Sequence, residues 1–137
     1  LLKVAGALGV GVEELLSRPR ADVQLLRSDE IPMVSKGRSG VEMYKLFPNK
    51  LKGIEIDRIE LPAGSHFGGL PHIQGSKEYL TVFKGEVIVH VEGEEFTVKK
   101  GEVLAFSGGQ PHSYRNNKKT SACAFSVVIP TPANFSA

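Results

Sequence analysis

Between Val41 and Pro130 the chain is a succession of short apolar segments punctuated by glycines, with no stretch of helical spacing among them. That pattern limits the fold more than any other feature. Glu42 to Phe47 is one candidate strand, the run holding Ile54, Ile56, Ile59 and Leu61 a second, and Tyr79 to Phe83 a third. The change of parity between Ile56 and Ile59 predicts a bulge. Val87, Val89 and Val91 alternate with Ile88, His90 and Glu92, and Glu92-Gly93 is a tight turn into Glu95 to Val98. Val103 to Phe106, Ser113 to Arg115 and Ala122 to Ile129 complete the set. Many short strands without intervening helices mean a β-sandwich or barrel.

The flanks read differently. Leu1, Val4, Ala5 and Leu8 recur at helical spacing, Gly9 ends the turn, and a second short helix runs through Val12, Leu15 and Leu16 to a stop at Pro19. The division expected is therefore helices over 1–18, a polar linker over 19–40, a β domain over 41–130 and a tail over 131–137. The helical segment contains Glu13 and Glu14 and lacks a leading basic region, so it is neither a signal peptide nor a membrane span. The absence of an initial methionine predicts a fragment of a longer chain.

Composition excludes some classes of function. The 17 basic residues against 15 acidic ones give a formal charge of +2, with no dense basic block. The β domain itself therefore has little electrostatic drive toward a phosphate backbone. Cys123 is the single cysteine, which precludes an internal disulfide, fits a reducing, cytoplasmic setting, and reads as a small core residue.

Two clusters carry the polar chemistry. One runs from Gly64 through His66, His72, Gln74 and Glu78 to Gly85; the other runs from Gly101 through Ser107, Gly109, His112 and Tyr114 to Asn116. Residues two apart on a strand share a face, which puts His72 with Gln74, and His112 with Tyr114 and Asn116. Glu78 begins a strand whose Leu80 and Val82 suit an apolar interior. His66 and His90 read as solvated or packed, and Lys77 and Arg115 as solvated.

These two clusters resemble the two motifs of the cupin superfamily, in the correct order and over about ninety residues. The first motif matches at His72, Gln74, Glu78 and Gly85, the second at Gly101, Ser107, Gly109, His112 and Asn116. Three positions depart from the pattern. Gln74 stands where a second histidine is usual, and Ser107 where a proline is usual. His66 falls at the opening glycine, whose role passes to Gly64. The resemblance implies a mainly β fold, a single cupin domain (a double-stranded β-helix or jelly-roll barrel), preceded by the short helical segment. It also implies a metal site of His72, Glu78 and His112 with Gln74 as a weak neutral ligand, and a small-molecule effector pocket lined by Tyr114, Asn116, Leu80 and Val82. The ion would be divalent: Zn, Ni, Fe or Mn. The alternative is a metal-free pocket whose polar groups bind one another, water or an organic ligand.

The first nineteen residues, LLKVAGALGVGVEELLSRP, resemble the closing helices of a Cro/repressor-type helix-turn-helix domain. Its recognition helix would lie upstream of Leu1. Helices, linker and cupin in that order resemble XRE-family transcriptional regulators with a cupin sensor. The implied partners are DNA, through the missing helix-turn-helix segment, a small-molecule effector, and a second copy in a homodimer to which Val41 to Leu61 would contribute. No membrane partner is implied. The competing class is a metal-dependent cupin enzyme of dioxygenase, isomerase or decarboxylase type. A structural or storage cupin is a third, less fitting class, because such proteins usually carry two barrels.

Overall fold

A computed structural model describes residues 23–47, 53–69 and 71–131. The two expected helices over 1–18 lie outside the described residues. The chain divides into two compact units, Leu1–Glu30 and Ile31–Ala137. The described part of the first is an exposed stretch ending in a 3₁₀ turn at Ser28–Glu30.

The second unit is mainly β. Its strands are β1 (Met33–Lys36), β2 (Glu42–Lys45), β3 (Glu55–Leu61), β4 (His66–Gly69), β5 (Ser76–Lys84), β6 (Glu86–Val91), β7 (Glu94–Lys99), β8 (Val103–Ser107), β9 (His112–Arg115) and β10 (Ala122–Pro130). They form a six-stranded sheet in the order β1-β2-β3-β10-β5-β8 and a four-stranded sheet in the order β4-β9-β6-β7. The strand pairs within both sheets are antiparallel. The inward faces supply one hydrophobic core that includes Val41, Ile59, Leu61, Leu80, Val87 and Val89. The tight turn at Glu92-Gly93 forms as expected, with both residues at positive φ.

Two local expectations need correction, and one strand was not expected. The bulge between Ile56 and Ile59 is absent: β3 pairs with β10 in unbroken register from Ala122↔Leu61 to Val128↔Glu55. The inward residues of β3 are Glu55, Asp57, Ile59 and Leu61, while Ile56 sits half-buried on the other face. Apolar character at Ile56 thus concealed an acidic residue on the core-facing row. The stretch 19–40 is not all irregular, since β1 pairs with β2. Four residues are too few to display a period, and exposed Met33 and Val34 are held by backbone pairing rather than by burial. Likewise β4, with two glycines, has little intrinsic strand preference and is set by its pairing with β9.

Among the described residues no helix is long and apolar enough to cross a membrane.

Candidate metal and effector site

The strand register builds the site. Glu55 on β3 and Glu78 on β5 both pair with Val128 of β10, so the two acids flank one small apolar residue in a single row. The adjacent row is Asp57, Ser126 and Leu80. His112 and Tyr114 are the two buried residues of β9 on the opposing sheet. His72 comes from the loop before β5. Its backbone N–H donates to the Gly108 carbonyl at 2.7 Å, and the Gly108 N–H donates to the Ser76 carbonyl at 3.0 Å, tying that loop to the β8–β9 turn. A side chain at 108 would crowd this tie, since a Cβ there would lie 2.6 Å from Ser76 Oγ and 3.3 Å from His72 Cδ2.

His72, Glu78 and His112 converge, each offering one ligand atom within 4.8 Å of the others. Glu78 is wholly buried. Its Oε1 lies 2.9 Å from His72 Nε2 and 3.5 Å from His112 Nε2, and its Oε2 accepts the Tyr114 hydroxyl at 2.5 Å. The outer nitrogens are also engaged. His112 Nδ1 is 2.9 Å from the Gln110 carbonyl, to which it donates, and His72 Nδ1 is 2.7 Å from Glu55 Oε2. The two imidazoles stack, with centroids 5.5 Å apart.

Electrostatics follow from this geometry. Burial alone would push the Glu78 pKa up, but hydrogen bonds from His72 and Tyr114, with the two nearby imidazoles, bring it below the usual carboxylate value. The hydrogen bond to Glu78 raises His72 against the opposing effect of burial. Burial, together with Glu78, holds the Tyr114 phenol well above its ordinary value, so it remains a donor. Asp57 is only 5% exposed, and its Oδ1 has no hydrogen-bond partner among the described residues. Desolvation raises its pKa to about 6.

The donor set fits a divalent ion. A histidine whose Nδ1–H is tied to a carbonyl turns Nε2 toward the cluster as its ligating atom, and His112 Nε2 lies 3.5 Å from Glu78 Oε1. Two imidazole nitrogens and a carboxylate oxygen are suitable donors for such an ion, and Tyr114 satisfies the second oxygen of Glu78.

The remaining expected site residues lie elsewhere. Gln74 is exposed, and its Nε2 donates to the Gly109 carbonyl at 3.5 Å, bracing the β8–β9 turn. Alternation does not govern it, because regular strand begins only at Ser76 and Gly75 has a φ of +83°. Asn116 is buried but lies past the end of β9. Its Nδ2 donates to the carbonyls of Leu61, Pro62 and Thr120, and its Oδ1 accepts from Lys118 N–H. It clamps a corner rather than facing the cluster. Leu80 and Val82 share the inward face with Glu78 and pack into the core. His66 and His90 are exposed, and Arg115 pairs with Glu95 at 3.1 Å. Cys123 is buried, and burial pushes its thiol pKa up. Glu55 and Asp57 were not anticipated; counting parity from Ile59 and Leu61 would have found both.

Comparison with known proteins agrees with this arrangement. Residues 57–129 match the cupin domain family. The chain is a cupin. It is 29% identical over 104 residues to the oxalate-binding protein of Thermotoga maritima, covering 74% of this chain and 85% of that one. It is 26% identical over 135 residues to the HTH-type transcriptional regulator PuuR of Escherichia coli, covering 96% of this chain and 71% of that one. Among solved structures, the cupin domain of an XRE family transcriptional regulator from Enterobacter cloacae superposes with a TM-score of 0.62 at 26% identity, over 67% of this chain and 98% of that one. The matched range spans both polar clusters, and the similarity to an HTH-type regulator extends along nearly the whole chain.

Proposed function

We propose that this cupin is the effector-sensing domain of a helix-turn-helix transcriptional regulator, with a divalent metal held by His72, Glu78 and His112. The observation that carries the regulator class is the 96% coverage of this chain by its similarity to an HTH-type regulator. The metal reading is supported by three ligand atoms that converge while both imidazole Nδ1 atoms are tied outward.

A bound divalent ion would supply a Lewis-acidic anchor for an oxygen or nitrogen donor of the effector. The protein's own residues do the rest. Glu78 contributes negative charge in a buried setting, and Tyr114 holds it in place by donating to Oε2. His72, on a loop with a partly open side chain, forms the accessible side of the cluster. Effector binding shifts the equilibrium of a homodimer between two arrangements of its DNA-reading segments. It does so only to the extent that it prefers one arrangement. Such a regulator acts in the cytoplasm, on DNA held outside the cupin.

The test uses the full-length regulator, purified and analysed for metal, then assayed on its operator with and without chelator. Stoichiometric metal is expected, together with an operator affinity that changes on chelation. His72→Ala and His112→Ala should abolish the change while leaving the fold intact. A metal-free wild type whose DNA binding ignores added zinc, nickel, manganese and iron would overturn the metal reading.

A second reading is favoured by one observation, the 29% identity to an oxalate-binding protein. In it the same ion would bind a small dicarboxylate, for binding alone or for turnover. Loss of oxalate from a metal-loaded sample, measured against the His112→Ala variant, separates this enzyme class from the regulator.

A further inference from the structure

Glu55 touches His72 from β3, a strand that carries none of the cupin motif residues. His72 itself stands on a loop, where its main chain is fixed by Gly108 but its ring is not. An imidazole can turn over about its Cβ–Cγ bond and exchange which edge it presents, so a ligand on a loop needs a second contact to present one nitrogen reliably. His112 obtains that contact from a backbone carbonyl, with Nδ1 2.9 Å from the oxygen of Gln110. His72 obtains it from a carboxylate, with Nδ1 2.7 Å from Glu55 Oε2. Both rings then point Nε2 at Glu78 Oε1, at 2.9 and 3.5 Å.

We infer that Glu55 is the positioning residue of this site, holding His72 with its Nδ1–H outward and its Nε2 toward Glu78 and His112. The consequence for metal affinity rests on the metal reading proposed above. With Gln74 turned to solvent, the convergent set holds two imidazoles, so misorientation of either removes a large share of the available ligation. A carboxylate acceptor also makes the imidazole a more basic ligand than a neutral acceptor would. The register makes the placement firm. Glu55 and Glu78 face the same Val128 from neighbouring strands, and His72 bridges them from above the row. Lys45 Nζ lies 3.8 Å from the other oxygen of Glu55.

The experiment compares wild type, Glu55→Ala and Glu55→Gln in the full chain. Zinc affinity is measured by chelator competition, and the ring nitrogens of His72 are observed by long-range proton–nitrogen NMR with and without zinc. Glu55→Ala should weaken zinc binding about 10- to 100-fold, the range for loss of an outer partner of a ligating histidine. Its His72 Nδ1 proton should lose its protection. Glu55→Gln keeps an oxygen acceptor and should restore both the protected proton and most of the affinity. A Glu55→Ala protein that binds zinc like wild type with an undisturbed Nδ1 proton overturns the inference while leaving the metal reading intact. If wild type takes up no zinc, the metal reading fails. The orientation then stands on a protected Nδ1 proton in the metal-free wild type and falls if that proton exchanges freely.

Discussion

Tyr114 donates its hydroxyl to Glu78 Oε2 from the opposite sheet, 36 residues away in sequence, at 2.5 Å. The bond joins the two layers at the one fully buried acid of the cluster. Tyr114→Phe leaves the ring packing against Phe67 and His112 in place but strips the carboxylate of a donor. A hydrogen bond to a charged group contributes about 1.5–3 kcal/mol, so the variant should unfold at lower urea with an unchanged m-value. An identical midpoint would show that the bond contributes nothing net.

Asp57 makes stability depend on pH in an unusual direction. Its carboxyl is raised from an ordinary 3.8 to about 6, chiefly by desolvation. Between those values the folded protein holds a proton that the unfolded chain has released, so this group's contribution to stability falls as pH rises through the window. The loss is on the order of 2–3 kcal/mol once pH exceeds about 6. Asp57→Asn removes it. Its stability relative to wild type should therefore improve from pH 4 to pH 7.5 in denaturant titrations. A wild-type-minus-variant difference that stays flat with pH would rule this out.

The sequence made the motif residues legible because spacing and order constrain them jointly: His72, Glu78 and His112 meet as the resemblance implied. Tyr114 followed from its alternation with His112 on one strand. Alternation failed where the strand was not continuous. Gln74 precedes β5 and Asn116 follows β9, so neither obeys the period that seemed to include it. Glu55 and Asp57 were illegible for the opposite reason. Their strand is perfectly regular, but Ile56 drew the inward face to the wrong parity. An inward-facing acid has no signal in hydropathy; here the parity of Ile59 and Leu61 points to it, and the register aligns Glu55 with Val128 and Asp57 with Ser126.

On the proposed metal reading, metal and proton would compete for the same nitrogen of His72. In the metal-free protein the Glu78 hydrogen bond raises His72, so its ion-pair stabilisation is fully present below the ordinary imidazole value of 6.5. That contribution is lost as pH rises through the raised folded value. Glu78, lowered in the fold, contributes above its ordinary 4.5 and loses that contribution only as pH falls through its depressed value. Bound zinc would replace the proton between them. Its stabilising effect should thus be larger at pH 8 than at pH 6, and its binding should release protons. Thermal unfolding with and without zinc at the two pH values checks the first point. Calorimetric titration in buffers of different ionisation enthalpy checks the second. Equal thermal shifts and no proton release would place the metal elsewhere.

Gly69 tests the site from its sterics. It lies on β4 directly opposite His112 in the register, and a Cβ added there would sit 2.7 Å from His112 Nε2 and 2.8 Å from its Cδ2. No backbone conformation special to glycine is involved, since Gly69 is not among the positive-φ residues. The close approach is therefore the whole constraint: alanine must displace the imidazole or shift β4. The ring cannot yield without cost, being packed by Phe106 and Tyr114 and tied through Nδ1 to Gln110. Overpacking of this kind costs about 1–3 kcal/mol, and it moves His112 Nε2, a proposed metal ligand. Gly69→Ala should thus lower zinc affinity at least about tenfold, as expected when a ligating histidine loses its orientation, with the fold still largely formed. The neighbouring Gly68 is the control, because a Cβ there meets no described residue within 4 Å. Gly68→Ala should bind zinc like wild type. If Gly69→Ala does so too, His112 Nε2 is not a ligand, whatever its position beside Glu78 suggests.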